Sequence, residues 1–293
     1  MKNTAQEHKT SQKKSLKKLF EEFSQTTGLE KAIKIVHDGS LQHRCYQHYT
    51  TVDALLAMIE GQSMRLTRGN SLSLDDNREC QKYGDDDSWN HTYIGCFSYG
   101  GAESAAMWGL YCKGDPEAIR IKISQKDMKD WIGSLEKNID ENGSVAFSDI
   151  IYTSVKGRDE KRERSNVLYW DGEHSMKIEK LSDKVSKCPG MLKDYEWRFE
   201  DESRLIVTLK GRNVERMFVP LTRKILKNMW ITFSPWSTEA DRTRMKTQIN
   251  AALDAALGAD AVHIDGRCNG SALEGALRKW GRQGEAGREK QGQ

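Results

Sequence analysis

Apolar positions along the chain follow two rhythms. Near the start, SLKKLFEEFSQ sets Leu16, Leu19, Phe20 and Phe23 three and four residues apart, the spacing of one helix face, with Ser15 placed to cap it. LEKAIKIVHDG predicts a second short helix ending before Gly39. The rhythm then changes to two. CYQHYTT reads as a strand, TVDALLAMIEG as a helix capped by Thr51 and stopped by Gly61, and SMRLT as another strand. YIGCFSY and AIRIKIS are strands on either side of a short helix, ESAAMWGLY. SDIIYTSV, RMFVPL and MWITFSP add strands, TEADRTRMKTQINAALDAAL is a long amphipathic helix, and AVHID is a candidate last strand. Polar stretches separate these elements. Residues 1–14 read as a disordered lead, 68–92 as a long polar loop, KGRDEKRERS as a solvated charged loop or the start of a charged helix, and GRQGEAGREKQGQ as a disordered Gly/charged tail. No internal repeat is present. Helices early and late, with strands between, predict an α+β fold rather than a doubly wound one. The expected division is a helical extension over 1–40, one α+β domain over 41–270, and a tail over 271–293.

One stretch combines aromatics, carboxylates and guanidiniums, namely Tyr195–Leu205, YEWRFEDESRL, which runs on into Ile206 and Val207. Read as a strand, it puts Trp197, Phe199, Leu205 and Val207 on one face and Arg198, Glu200, Glu202 and Arg204 on the other. A bulge within it would swap faces, so periodicity alone does not choose between Glu200 and Glu202.

Composition narrows the class. Apolar residues are 37% and charged residues 30%, so the surface is heavily charged, yet 293 residues suffice to bury a core. The 46 basic and 43 acidic residues leave a net charge of +3, too balanced to argue for nucleic-acid binding on charge alone. Cys45, Cys80, Cys96, Cys112, Cys188 and Cys268 form no CxxC pair, which reads as reduced thiols in a cytosolic protein without structural zinc. No run approaches the roughly 18 apolar residues of a membrane span. The polar N-terminus lacks the apolar segment of a secretory signal.

Four segments in order resemble a bacterial family first described as a domain of unknown function and found near phage-defence genes. They are His48-Tyr49-Thr50 followed by a helix and Met64–Thr67; Leu74-Asp75-Asp76-Asn77-Arg78-Glu79; Cys96-Phe97-Ser98 with Met107, Trp108 and Tyr111; and Trp197–Arg204. Ile231–Pro235 and the helix after it add a fifth, weaker match, so the resemblance covers about 45–265. The family has Asn-Asp-Pro in the second segment where this chain has Asp75-Asp76-Asn77. The element order also resembles the ADP-ribosyltransferase fold, with its split, mostly antiparallel sheet and flanking helices. That resemblance implies a catalytic domain over 41–270 and NAD as co-substrate, with no metal. It implies His48 and Thr50, beside Tyr49, on the NAD ribose. Phe97 or Tyr111 would stack on nicotinamide, Ser98 and Trp108 would line the cleft, and Arg204 would stand beside the catalytic carboxylate, Glu202 or else Glu200. It further implies a toxin or anti-phage effector with an RNA, DNA or protein acceptor, held by an antitoxin or inhibitor protein.

The chemistry suits these residue types. Loss of nicotinamide leaves an oxocarbenium-like ribose, which a nearby carboxylate stabilises. The same carboxylate can also take the acceptor's proton if its pKa is raised. Each residue also has a plain reading. Glu200 and Glu202 can pair with Arg198 and Arg204 on a solvated face. His48 can be a hydrogen-bonded structural histidine, and Trp108 and Tyr111, three apart on a helix, can both be core. Asp75, Asp76 and Glu79 lack the glycine and spacing of a calcium loop. The other class is a non-catalytic recognition module that uses the charged row to hold a partner.

Overall fold

The computed structural model describes residues 14–69, 90–139, 143–155, 166–171, 173–178, 190–209, 211, 214 and 216–277. The Leu74–Glu79 segment, the KGRDEKRERS stretch beyond Val155, Cys80, Cys188 and the far tail lie outside the described residues.

Two helices open the described chain, α1 (Leu16–Gln25) and α2 (Leu29–Ser40). Ser15 caps α1 by accepting from the Lys18 amide, as its position predicts. The second helix does not stop before Gly39. It runs through Gly39 because Trp170 packs there: an added Cβ would lie 2.3 Å from the indole ring. This glycine serves close approach, not termination.

A sheet of nine strands among the described residues follows. Its members are β1 (Cys45–Thr51), β2 (Ser63–Arg68), β3 (Thr92–Tyr99), β4 (Ala118–Ser124), β5 (Gly143–Asp149), β10 (Glu202–Leu209), β11 (Arg216–Pro220), β12 (Trp230–Phe233) and β13 (Cys268–Gly270). A smaller sheet holds β6 (Ile151–Val155), β7 (Asn166–Tyr169), β8 (Ser175–Ile178) and β9 (Leu192–Asp194). All pairings in the large sheet are antiparallel except β12–β13. The remaining helices are α3 (Val52–Glu60), α4 (Ala105–Met107), α5 (Gln125–Asn138), α6 (Arg223–Asn228) and α7 (Glu239–Leu257). The architecture is therefore α+β, a large, mainly antiparallel sheet with flanking helices.

The large sheet forks at β3. One edge of β3 pairs along its length with β10, which pairs on with β5. The other edge takes β1 only at Ser98 and Tyr99, and β2 only at Tyr93 and Ile94. Gly95, Cys96 and Phe97 are left without a strand partner on that edge, and β1 and β2 diverge around them.

Strand alternation sorts the two faces. Tyr46, Phe97, Ile119, Ile121, Leu205 and Val207 turn inward and pack beneath α3, α5, α6 and α7, forming the main core. Ile94 and Ile206 turn to the opposite, outer face, where α1, α2, Trp170 and the small sheet cover them. The α1–α2 pair is pinned by a buried network around Asp149. His43 Nε2 lies 2.6 Å from Oδ2, Trp170 Nε1 donates to Oδ2 at 2.8 Å, and Ser203 Oγ donates to Oδ1 at 2.6 Å. Ser40 Oγ accepts from the Asp149 amide.

Several expected elements differ. Tyr195–Glu200 is not strand but a 3₁₀ turn, closed by Asp201 at φ 43, and the strand starts at Glu202. SDIIYTSV is two strands in two sheets, broken at Ile150. AVHID is irregular, and the last strand is β13 further on. Helix α5 has no counterpart in the sequence reading, because its charged QKDMKD start hides the buried set Met128, Trp131, Ile132 and Leu135. Among the described residues no helix is long and apolar enough to cross a membrane.

Candidate active site

The outer face carries a polar row at the end opposite Ile94 and Ile206. Lys122 of β4 stands opposite Gln47 of β1, Gln47 opposite Ser98 of β3, and Ser98 opposite Glu202 of β10. Cys96 and Arg204, one step along, face each other on the same side. Cys96 is open to solvent, yet burial pushes its thiol well above the ordinary range.

Three groups hold the Glu202 carboxylate. Arg204 Nε donates to Oε1 at 2.7 Å and Nη2 to Oε2 at 3.1 Å, a two-pronged contact. Lys193 Nζ donates to Oε2 at 3.2 Å, and the Cys96 thiol donates to the same carboxylate. The Glu202 main-chain amide donates to the Tyr152 hydroxyl at 2.9 Å. Burial works against the Glu202 charge, but Arg204 and Lys193 outweigh it and hold the carboxyl well below the usual range. Glu202 is therefore a fixed anion.

Glu200 is different. The turn closed by Asp201 folds its side chain back beside Glu202, so the two glutamates meet without sharing a strand face. Lys193 Nζ donates to Glu200 Oε2 at 2.5 Å, and the Tyr111 hydroxyl donates to Oε1. Burial first, and then the neighbouring Glu202 charge, push the Glu200 carboxyl up to about 7. Burial also works against the Lys193 ammonium, but the two glutamates outweigh it and hold it above the ordinary lysine range. Lys193 also lies 4.9 Å over the Trp197 ring. The sequence reading missed this lysine. Its signal was an isolated cation between Leu192 and Asp194 in a short apolar run.

Tyr111 owes its position to a change of helical pitch. After α4 the chain widens into a π turn over Trp108–Cys112, ended by Lys113 in the left-handed region at φ 47. Trp108 and Tyr111 therefore do not share a face. Trp108 is fully buried with Cys112, Ala118 and Leu277, and its Nε1 donates to Glu103 at 3.0 Å. Tyr111 is 47% exposed, with its hydroxyl end turned in to Glu200. Leu110 and Phe199 are exposed in the same two segments.

The remaining expected residues divide. Tyr49 is on the outer face, accepting from the Ser104 amide at 3.2 Å and meeting Trp108 edge to face. Ser98 is 7% exposed, and its Oγ has no hydrogen-bond partner among the described residues. His48 and Thr50 do not stand beside Glu202, because alternation from Gln47 carries both to the inner side of β1. His48 Nδ1 donates to the Cys96 carbonyl at 2.9 Å, filling the unpaired edge at the fork, and burial lowers its imidazole below the ordinary range. Phe97 is a core residue, 5.6 Å from His48 and packed on Trp131 and Phe147, so it offers no ring to a ligand. Of the two aromatics considered for stacking, Tyr111 alone has an open face. Among the described residues no group of His, Cys, Asp and Glu is arranged to hold a metal ion.

No protein-family model matches this chain. No curated protein matches it either. Among solved structures it is similar to Thermus sp. 2.9 DarT in complex with ADP-ribosylated ssDNA, with 10% identity over 79% of this chain and 95% of that one, at a TM-score of 0.34. At that distance the likeness carries no argument about fold or chemistry.

Proposed function

We propose that this chain is an NAD-dependent mono-ADP-ribosyltransferase of the split-sheet kind, acting in the bacterial cytosol as a toxin or anti-phage effector on a nucleic-acid acceptor, with its catalytic domain spanning 41–270. The observation that carries the reading is the pairing of two buried glutamates with opposite proton preferences. Glu202 is a fixed anion between Arg204 and Lys193, while Glu200 exchanges its proton near neutral pH. Neighbouring carboxylates whose environments drive their pKa values apart are the mark of divided acid–base work.

In this reading NAD lies in the cleft floored by Cys96 and Ser98, with Tyr111 against the nicotinamide ring and Tyr49 beside the ribose. The bond from ribose C1′ to the nicotinamide nitrogen breaks, and its electron pair leaves with neutral nicotinamide. Glu202 stabilises the positive charge that develops on the ribose. The acceptor's nucleophilic atom bonds to C1′, and its proton passes to Glu200, which takes it only from its ionised form. Tyr111 and Lys193 orient that carboxyl. His48 has a positioning role here, holding the β3 main chain behind Cys96. An inhibitory protein partner fits a toxin of this kind.

The exposed trio Leu110, Tyr111 and Phe199 favours a second reading, a recognition module that binds a partner through this face without chemistry. Incubation with labelled NAD and cell extract separates the two, with nuclease and protease applied to separate aliquots. The enzyme reading expects label on nuclease-sensitive material and its loss in Glu202→Gln. Absence of transferred label with the native chain would favour the binding module, and protease-sensitive label would move the acceptor to protein.

A further inference from the structure

Arg120 of β4 is 4% exposed on the outer face, one strand beyond Gln47. Its Nη1 donates to Gln47 Oε1 at 2.9 Å and its Nη2 to Thr232 Oγ1 at 2.8 Å, and the group also lies against the Tyr49 hydroxyl. Every one of these partners is neutral. Nε has no partner, and no carboxylate forms an ion pair with this guanidinium among the described residues. The other buried cations near the cleft, Lys193 and Arg204, are matched to glutamates. A buried charge without a countercharge is costly, and an orphaned buried donor adds to that cost.

A second orphan lies on the way to the carboxylates. Ser98 Oγ, also more than nine-tenths buried, sits between Gln47 and Glu202 in the cross-strand row. Gln47 and Glu202 are two strand spacings apart, roughly 10 Å, and the Arg120 guanidinium reaches Gln47 at the far end of that span. Over the same place runs the segment Gly100–Ser104, whose one carboxylate, Glu103, is taken up by Trp108 Nε1, Ser271 Oγ and the Ala272 amide rather than by Arg120. Gln47 Nε2 tethers it through the carbonyls of Gly100 and Ala102, at 2.7 and 3.2 Å. A Cβ at Gly100 or Gly101 would meet nothing within 4 Å, so the segment has open space around it.

We infer that Arg120 and Ser98 form an anion subsite that takes the diphosphate of a nucleotide whose ribose lies at Glu202. This rests on the proposed transferase reading for the identity of the nucleotide, but the anion itself follows from the two orphaned groups. A guanidinium offers five N–H donors in a planar fork suited to phosphate oxygens, and the neutral contacts of Arg120 leave its charge unanswered. Its depth under Gly100–Ser104 suits a small diphosphate better than the backbone of a polymer. Arg120 is a binding residue here; the bond-breaking step stays with Glu202.

Calorimetric titration of the full chain with ADP-ribose and, separately, with inorganic pyrophosphate tests this, alongside thermal unfolding of Arg120→Met and Arg120→Lys. The expected result is binding by the native chain, at least about 30-fold weaker in Arg120→Met, as loss of a charge-assisted contact implies. The unliganded Arg120→Met variant should melt no lower than native, because methionine removes a buried charge that nothing matches. Arg120→Lys should keep part of the pyrophosphate affinity. An Arg120→Met variant that melts lower while binding ADP-ribose within twofold of native would make Arg120 a structural strut and overturn the subsite, leaving the transferase reading intact. Should NAD not be cleaved while pyrophosphate still binds through Arg120, the subsite stands and the transferase reading falls. No binding of either probe overturns the subsite, and a short single-stranded oligonucleotide that binds through Arg120 in their place would reassign it to an acceptor phosphate.

Discussion

Replacing Glu200 by glutamine should change how stability depends on pH. In the native chain Glu200 is buried beside Glu202, and its carboxyl is pushed from an ordinary 4.5 up to about 7. A carboxyl that binds its proton more tightly folded than unfolded leaves stability whole below its unfolded pKa and erodes it as pH climbs to the folded value. The window here is pH 4.5 to 7, a span of 2.5 units from the two values just given. At 1.36 kcal/mol per unit, the erosion reaches about 3 kcal/mol by pH 7.5 as an upper figure. Glutamine cannot titrate, so Glu200→Gln loses this erosion. It also changes the contacts with Lys193 and Tyr111, but that offset does not vary with pH across the window. The assay is urea unfolding of both proteins at half-unit steps from pH 5 to 8.5. The stability difference should shift steadily toward the variant up to pH 7 and then level off. Glu202 acts in the opposite sense and lower down: its depressed carboxyl contributes stability above about 4.5 that is lost as pH falls below that value. A difference that stays flat from pH 5 to 8.5 would refute the reasoning, because Glu200 would then be an ordinary ionised partner of Lys193.

Further outcomes follow from packing and exposure. Gly39→Ala should destabilise by about 1–3 kcal/mol in the same urea assay, because its Cβ would lie 2.3 Å from the Trp170 ring that also donates to Asp149; an unchanged midpoint would mean the α2–Trp170 contact is looser than described. Among the described residues Cys96 is the exposed free thiol, Cys268 is half-buried, and Cys45 and Cys112 are buried. Alkylation mapped by mass spectrometry should find Cys96 reached but slow at pH 7.5, since its thiol is held well above the ordinary range, and ADP-ribose should protect it. Fast labelling that ADP-ribose does not affect would remove Cys96 from the proposed nucleotide site.

Much of the fold was legible because its elements obey simple local rules. β1, β3, β4 and α7 announce themselves through alternation or amphipathic spacing, and Thr51 and Ser15 each cap the helix their position suggests. Gly39 misled because a glycine that ends a helix and one that admits a tryptophan look alike in sequence. The YEWRFEDESRL stretch has strand composition, yet Asp201 adopts a left-handed conformation that ends a 3₁₀ turn, something a non-glycine residue rarely signals. Glu200 and Glu202 were expected to meet through a two-residue repeat on one strand face; a turn brings Glu200 to Glu202 instead. His48 and Phe97 were legible as residues but not as positions, since which face they take depends on register against β3. Lys193 and Arg120 were missed because their meaning lies in their folded partners, two glutamates for one and, among the described residues, no anion for the other.

The rate at which the purified native chain and Glu202→Gln release nicotinamide from NAD decides whether Glu202 carries the bond-breaking step. Circular dichroism must first confirm that the variant folds, because Arg204 and Lys193 lose a buried countercharge in it. Release by the native chain, reduced about 100-fold or more in folded Glu202→Gln, is the expected result, in line with the loss of one transition-state electrostatic contact. No release by the native chain under any acceptor condition, or equal rates for the two proteins, would contradict it.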